Sequence, residues 1–344
     1  VALGQGFQAT AELRQLIFDF NHTRDLVRQS VAFERAAFQN LTAVQANIVN
    51  QVKQAYYVYV QDERLVAENQ SNLDNRNSQL ALARARLNSG LGLPSDVVTA
   101  ETAVAQAVIG LNTAQNNATF QRISLTQLMG IDPRTPITTT DASEPTLPTD
   151  DVNGLVTTAL QRRPEVLEAQ ANIDANRYGL NAARTTNAPV ISGNVQYLSK
   201  GDQFLPGNDS VSIGAAIQFS PFDGGLTAGK VRQARAELES ARASLVLTQQ
   251  QVIADVTQAY TNLRSAEQRV TEANSEVQNA EEGVRIATGR YREGLGLFLD
   301  IINAQAFLLT ARTDLVNARA AVDTARAAVQ RAIGTPLPTV TPAR

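Results

Sequence analysis

An offset of 204 residues lays residues 18–130 onto 222–334 without a break, and 32 of the 113 paired positions are identical. Phe18-Asp19 falls on Phe222-Asp223, Val27-Arg28-Gln29 on Val231-Arg232-Gln233, and Gln54-Ala55-Tyr56 on Gln258-Ala259-Tyr260. Gly90-Leu91-Gly92-Leu93 falls on Gly294-Leu295-Gly296-Leu297, Asp96 on Asp300, and Gly130 on Gly334. Chance does not hold register through both glycine clusters. The chain is read as two copies of one unit, and any fold assigned to it has to be built twice.

Each copy has a helical period. Val231, Leu238, Leu245, Val252, Ala259, Ala266, Ala273, Ala280 and Ala287 recur every seven residues, with Val256, Leu263, Val270, Val277, Val284 and Tyr291 interleaved. Two such rows make a heptad seam. The first copy keeps the second row as Val52, Tyr59, Val66, Leu73, Leu80 and Leu87. Past the glycines, Ile301, Leu308, Leu315, Val322 and Val329 run beside Ala304, Ala311, Ala318, Ala325 and Ala332. Each unit is therefore a helix of about 65 residues, a Gly-Leu-Gly-Leu turn and a returning helix of about 33. At 1.5 Å per residue the long helix spans roughly 98 Å, which demands a coiled coil or a wall of packed helices.

Ahead of the long helices the period changes to two. Val211, Ile213, Ala215, Ile217 and Phe219 alternate with Ser212, Gly214, Ala216, Gln218 and Ser220. Val190–Leu198 alternates likewise, and the Gly/Asp/Pro-rich stretch Ser199–Asp209 between the two predicts a hairpin. In the first copy Phe7, Ala9, Ala11 and Leu13 alternate with Gln8, Thr10, Glu12 and Arg14. About ten residues with one apolar face suit a membrane β-barrel strand, and equally a half-buried soluble hairpin.

The organisation is then a first repeat over residues 1–130, a connector over 131–152, a second repeat over 153–334 and a Pro-rich tail over 335–344. Residues 151–187 are expected to be helical, broken near Arg163-Pro164. The second repeat has a connector helix and a first strand without counterparts in the first. The reading therefore expects about 50 further residues, and any signal peptide, upstream of Val1. Three strands per chain would put parallel neighbours at each subunit junction of a barrel closed by rotation, whereas four would not.

Composition removes several classes of function. There is no Cys and one His, His22, so no Cys/His zinc site or disulfide scaffold is available. No metal or cofactor is expected, and no catalytic residue. A net charge of −3 with 5% aromatic residues makes a poor nucleic-acid binder. No run of 18 apolar residues is present, so no membrane-spanning helix is expected. Gly224-Gly225-Leu226-Thr227-Ala228-Gly229-Lys230-Val231 approaches a phosphate-binding loop, but Val231 stands where a magnesium-binding hydroxyl belongs. Its plainer reading is a flexible strand-to-helix junction. His22 is expected at the surface and Met129 in the core. Asp96 and Asp300 fall in the first turns of the returning helices, where an acid suits the helix dipole. In an oligomer with its axis near the turns, Asp300 would form a ring of carboxylates favouring cations.

At the glycine turns the sequence resembles the TolC-like outer membrane factor family of efflux and type I secretion channel-tunnels. The resemblance rests on residues 290–305 (RYREGLGLFLDIINAQ), on Leu315, Ala318 and Ala332-Ile333-Gly334, and on the junction Phe222-Asp223-Gly224-Gly225. It implies a mainly α fold with a few membrane strands: a homotrimer joining an α-helical barrel to a 12-stranded β-barrel shared between subunits. It implies an outer membrane location with the tunnel in the periplasm, contact with outer membrane lipid, and an exit duct that is not an enzyme. The implied partners are a periplasmic adaptor (membrane fusion) protein and an inner membrane transporter, proton-driven or of the ABC type. Tyr291 matches a family tyrosine that bonds to a first-repeat aspartate, here Asp96, and Asp300 matches an entrance aspartate. The family's arginine position is Gly296 and its second entrance aspartate is Asn303, so a thinner closing network is expected. Ser89, Gly90 and Leu91, with Glu293, Gly294 and Leu295, match the tips that adaptors grip. The competing readings are a soluble coiled-coil scaffold or periplasmic adaptor and, through the glycine-rich junction, a nucleotide-binding enzyme.

Overall fold

The computed structural model describes residues 6–139, 151–201 and 208–335. In chain order the elements are β1 (Phe7–Phe18), α1 (His22–Asn88), α2 (Pro94–Leu128), α3 (Val152–Arg162), α4 (Pro164–Arg184), β2 (Val190–Gly201), β3 (Asn208–Gln218), α5 (Leu226–Arg292) and α6 (Phe298–Ala332). The molecule is mainly helical with three described strands. The long helices α1 and α5 have 67 residues each, and the returning helices α2 and α6 have 35 each.

The correspondence at offset 204 extends to the backbone. Positive φ is found at Phe20 and Asn21 and at Gly224 and Gly225, at Gly90 and Gly294, and at Gly130 and Gly334. All four helix ends at these single glycines close in one way. Leu91 N–H reaches the Arg86 carbonyl, Ile131 that of Thr126, Leu295 that of Arg290, and Thr335 that of Gln330. The glycine N–H bonds back three residues at each, which makes a Schellman end. The left-handed residue is what glycine supplies there at little steric cost.

Two compact units contain the described residues. The first comprises the chain up to Leu41 with Pro164–Gln250, and the second Thr42–Arg163 with the chain from Gln251 onward. Each unit draws on both halves of the sequence.

The first unit holds one antiparallel sheet in the order β1-β2-β3. The predicted hairpin of β2 and β3 is present; the residues at its tip, 202–207, lie outside those described. Leu13 faces Val195, which faces Ile213, and Ala11, Tyr197 and Val211 line up in the same way. After an irregularity between Leu16 and Phe18, the row Phe18, Ile191 and Ile217 joins that side. The alternate rows are mostly polar, as in Glu12, Gln196 and Ser212, with Leu16, Leu198 and Ala216 interspersed. Because strand side chains alternate, one surface of the sheet is apolar across all three strands. That surface is uncovered: Ile213 is 80% exposed and Ile217 71%. His22, expected at the surface, is half-buried, with Nδ1 2.9 Å from the Ala182 carbonyl.

The second unit is built from helices. The break at Pro164 follows from its missing N–H, and Arg163 before it is extended. The Arg163 side chain, 4% exposed, donates through Nη1 to Asp255 Oδ2 at 2.7 Å. Asp255 Oδ1 accepts from Gln251 Nε2 at 2.7 Å, and Arg331 Nη1 lies 3.7 Å from Asp255 Oδ2. One carboxylate thus ties the end of α3 to α5 and α6. Val252, Val256, Val329 and Leu155 are fully buried in the same unit. Met129 is not core: it caps the end of α2 and is 47% exposed, whereas its counterpart Ile333, at the end of α6, is 4% exposed.

Candidate functional site

The two Gly-Leu-Gly-Leu turns and the helix ends beside them carry most of the residues singled out by sequence. Tyr291 lies one residue before the end of α5 and is 5% exposed. It packs with Ala83, Ala100, Phe298 and Ile301, its ring 5.4 Å from that of Phe298. Its hydroxyl donates to Asp96 Oδ2 at 2.9 Å. Tyr291 therefore fills an apolar seam and also binds across to the opposite helical hairpin. Burial first, then the hydrogen bond to Asp96 and the Asp96 charge, push the phenol up to about 12, so it is a neutral donor throughout the physiological range.

Asp96 and Asp300 both occupy the third position of their helices, after Leu93 and Leu297 at the caps. They are used differently. Asp300 is exposed and turns back, its Oδ2 accepting the Leu297 N–H at 3.1 Å. That satisfies one of the backbone donors left free at a helix start. Asp96, half-buried, reaches the tyrosine instead. Asn303 is one helical turn beyond Asp300 and exposed.

The turns themselves project. Leu91 is 72% exposed and Leu295 70%, and Ser89 and Glu293 are exposed beside them. Ser89 Oγ donates to the Ala85 carbonyl at 2.9 Å. Gly90 and Gly294 have φ of 71° and 74°. Gly92 is required for a different reason: a Cβ there would lie 2.7 Å from the Leu87 nitrogen and 2.9 Å from the Arg86 carbonyl carbon. At Gly296 a Cβ would lie 3.1 Å from the Arg290 Cβ, so the position that holds an arginine in the resembled family is crowded here.

Sequence reasoning missed Arg86. Its guanidinium lies 4.7 Å from the centroid of the Tyr291 ring, and its Nη1 donates to the Arg292 carbonyl at 2.9 Å. Only its place one turn before the glycines, 204 residues ahead of Arg290, could have marked it.

The glycine-rich junction before α5 is already occupied. Asp223 Oδ1 accepts the Gly225 N–H at 3.0 Å and Oδ2 the Thr227 N–H at 2.7 Å. The same cap stands before α1, where Asp19 Oδ2 accepts the Thr23 N–H at 2.8 Å. A phosphate at Gly225 would have to displace a carboxylate from those donors. Among the described residues, no group of three or more His, Cys, Asp or Glu is arranged to hold a metal, and no helix is long and apolar enough to cross a membrane.

The described residues hold an antiparallel sheet with an uncovered apolar face and two pairs of a 67-residue and a 35-residue helix. The chain belongs to the outer membrane efflux protein family, whose model matches residues 5–131 and 155–335. It is similar to the outer membrane efflux protein BepC of Brucella suis, 27% identical over 231 residues that make up 66% of this chain and 50% of BepC. It is also similar to the protein CyaE of Bordetella pertussis, 26% identical over 233 residues, 65% of this chain and 48% of CyaE. The chain spans about half the length of these curated relatives. Among solved structures it matches the outer-membrane channel OprN with a TM-score of 0.79 at 19% identity, covering 97% of this chain and 82% of OprN. The outer membrane protein VceC from Vibrio cholerae matches with a TM-score of 0.76 at 23% identity, covering 96% of this chain and 86% of VceC. At these identities the structures establish the fold: that of the TolC-like channels.

Proposed function

We propose that the protein is an outer membrane channel-tunnel, the exit duct of a tripartite efflux pump or of a type I secretion system. Three copies, each a duplicated strand-and-hairpin unit, share a 12-stranded β-barrel in the outer membrane, and their long helices form a tunnel in the periplasm. The duct moves substrates without chemistry. A periplasmic adaptor docks at Ser89, Gly90 and Leu91 and at Glu293, Gly294 and Leu295, and an inner membrane transporter supplies the energy. The tunnel is shut at the tips, where Tyr291 binds Asp96 and where Asp300 and Asn303 line the entrance.

One observation carries this reading: the apolar face made by Leu13, Val195, Tyr197, Val211, Ile213 and Ile217 is exposed on all three strands. A patch of that kind marks a surface that meets lipid or a partner. With polar residues on the alternate side, it suits a barrel wall between lipid and a wet lumen.

The test is single-channel conductance of the full-length, detergent-purified protein in a planar bilayer. Discrete, long-lived steps are expected. A protein that stays monodisperse without detergent and never conducts would be a soluble scaffold or an adaptor instead.

A further inference from the structure

We propose that Arg86 holds the two glycine turns together and sets how firmly the helical tip stays shut, as a positioning residue acting through Tyr291. The gating half of this inference rests on the channel reading above, while the clamp rests on contacts alone.

Arg86 lies in the last turn of α1, and its side chain leaves its own hairpin. Nη1 donates to the carbonyl of Arg292, the last residue of α5, at 2.9 Å. That carbonyl is one of those that no intrahelical N–H can reach, and a cation beside it is favoured by the helix dipole. The guanidinium also lies over the Tyr291 ring at 4.7 Å, within range of a cation–π contact. Nη2 stays near home, 3.4 Å from the Leu91 carbonyl. Nε is buried with no hydrogen-bond partner, on the side of the head group away from the two Nη contacts. Tyr291 in turn donates to Asp96 in the first turn of α2. Arg86, Tyr291 and Asp96 thus form one line of contacts through the ends of α1, α5 and α2.

The line is one-sided, and the repeat supplies its control. Arg290 is the counterpart of Arg86 at offset 204, but the counterpart of Tyr291 is Leu87. Leucine offers neither an aromatic face nor a hydroxyl. Arg290 is exposed and has no ring at the matching place. Two arginines equivalent in sequence are therefore expected to differ in effect.

The test is hydrogen exchange by mass spectrometry on the purified full-length protein, read over residues 87–93 and 291–297, together with bilayer conductance. Arg86→Met keeps the length of the stem but removes charge and donors. It is expected to speed exchange about fivefold in both turns, the loss of one charged contact of this kind, and to raise the open probability. Arg86→Lys keeps the charge but not the planar fork, and is expected to fall between the two. Arg290→Met is expected to leave residues 87–93 unchanged. Faster exchange in 87–93 alone, with 291–297 as in the parent, would reduce Arg86 to a local cap and overturn the proposal. Faster exchange in both turns, in a protein that conducts in neither parent nor any variant, would sink the channel reading and leave the clamp standing.

Discussion

Asp96 and Asp300 stand at the third position of two 35-residue helices, 204 residues apart, and only Asp96 bonds across to the other hairpin. The difference comes from one substitution between the copies. The second carries Tyr291 where the first carries Leu87, so there is a single phenol to share and it lies within reach of Asp96.

Tyr291→Phe keeps the ring in its cluster with Phe298 and Ile301 and removes only the donor. It is expected to weaken the tip by about 1.5 kcal/mol, the value of a hydrogen bond to a charged acceptor. Tip exchange is expected to rise and, on the proposed channel reading, the open probability with it. The same bond has a pH limit. The phenol is raised from its ordinary 10.0 to about 12, so its contribution is whole below pH 10 and is lost as pH rises through 12. Conductance measured between pH 7 and pH 9 is expected to show no change traceable to Tyr291.

Asp300→Asn retains an acceptor for the Leu297 N–H, whereas Asp300→Ala removes it. The alanine variant is expected to cost about 1 kcal/mol at the start of α6, and the asparagine variant less. Both remove the proposed ring of charge. Reversal potentials in a salt gradient are expected to show reduced cation preference in both variants alike. Unchanged selectivity would confine Asp300 to its capping role.

Gly92→Ala places a methyl group 2.7 Å from the Leu87 nitrogen, against backbone that cannot swing away. Gly296→Ala meets the Arg290 Cβ at 3.1 Å and the Arg290 and Tyr291 backbone at 3.4 Å, an ordinary contact distance. The first is expected to distort its turn more, although neither position has positive φ. Peptide-level exchange over 86–93 and 290–297 compares them directly.

Asp255→Ala removes the carboxylate to which the Arg163 side chain, 4% exposed, donates. Removing one partner of such a pair costs about 3 kcal/mol. In the parent, burial pushes the Asp255 carboxyl up, but the Arg163 and Gln251 hydrogen bonds and the charges of Arg163 and Arg331 outweigh it, leaving the group below its ordinary 3.8. A lowered carboxyl stabilises above its unfolded value and loses that contribution as pH falls through and below it. Thermal unfolding of the parent is expected to be steeper in pH below 4 than that of Asp255→Asn.

The helices were open to reading because each residue of a seam repeats the same statement every seven positions. Val252 and Val256 follow such rows and are buried. The strands were equally plain, since alternation in Val211–Gln218 persists over four pairs. The glycine turns announced themselves through Gly90 and Gly294, which only a left-handed backbone explains well. Phe20 and Asn21 did not: they take the left-handed conformation of Gly224 and Gly225 without being glycine, and only the offset marks them. Met129 misled because its local setting matches that of Ile333, which is buried at the end of α6; what covers a helix end is decided by tertiary packing.

By itself the sequence determined the element order, the near equality of paired helices, and the residues that end them, because these depend on neighbours three, four or seven places away. Tertiary structure alone decided that Arg86 lies on Tyr291 and that Arg163 meets Asp255, while the bond of Tyr291 to Asp96 followed from the family resemblance and from no local pattern. Each of those contacts joins residues about 90 to 205 positions apart in the chain. No local period encodes such a meeting. It is set by the axial register at which packed helices stop sliding, which follows from the fit of all their side chains together.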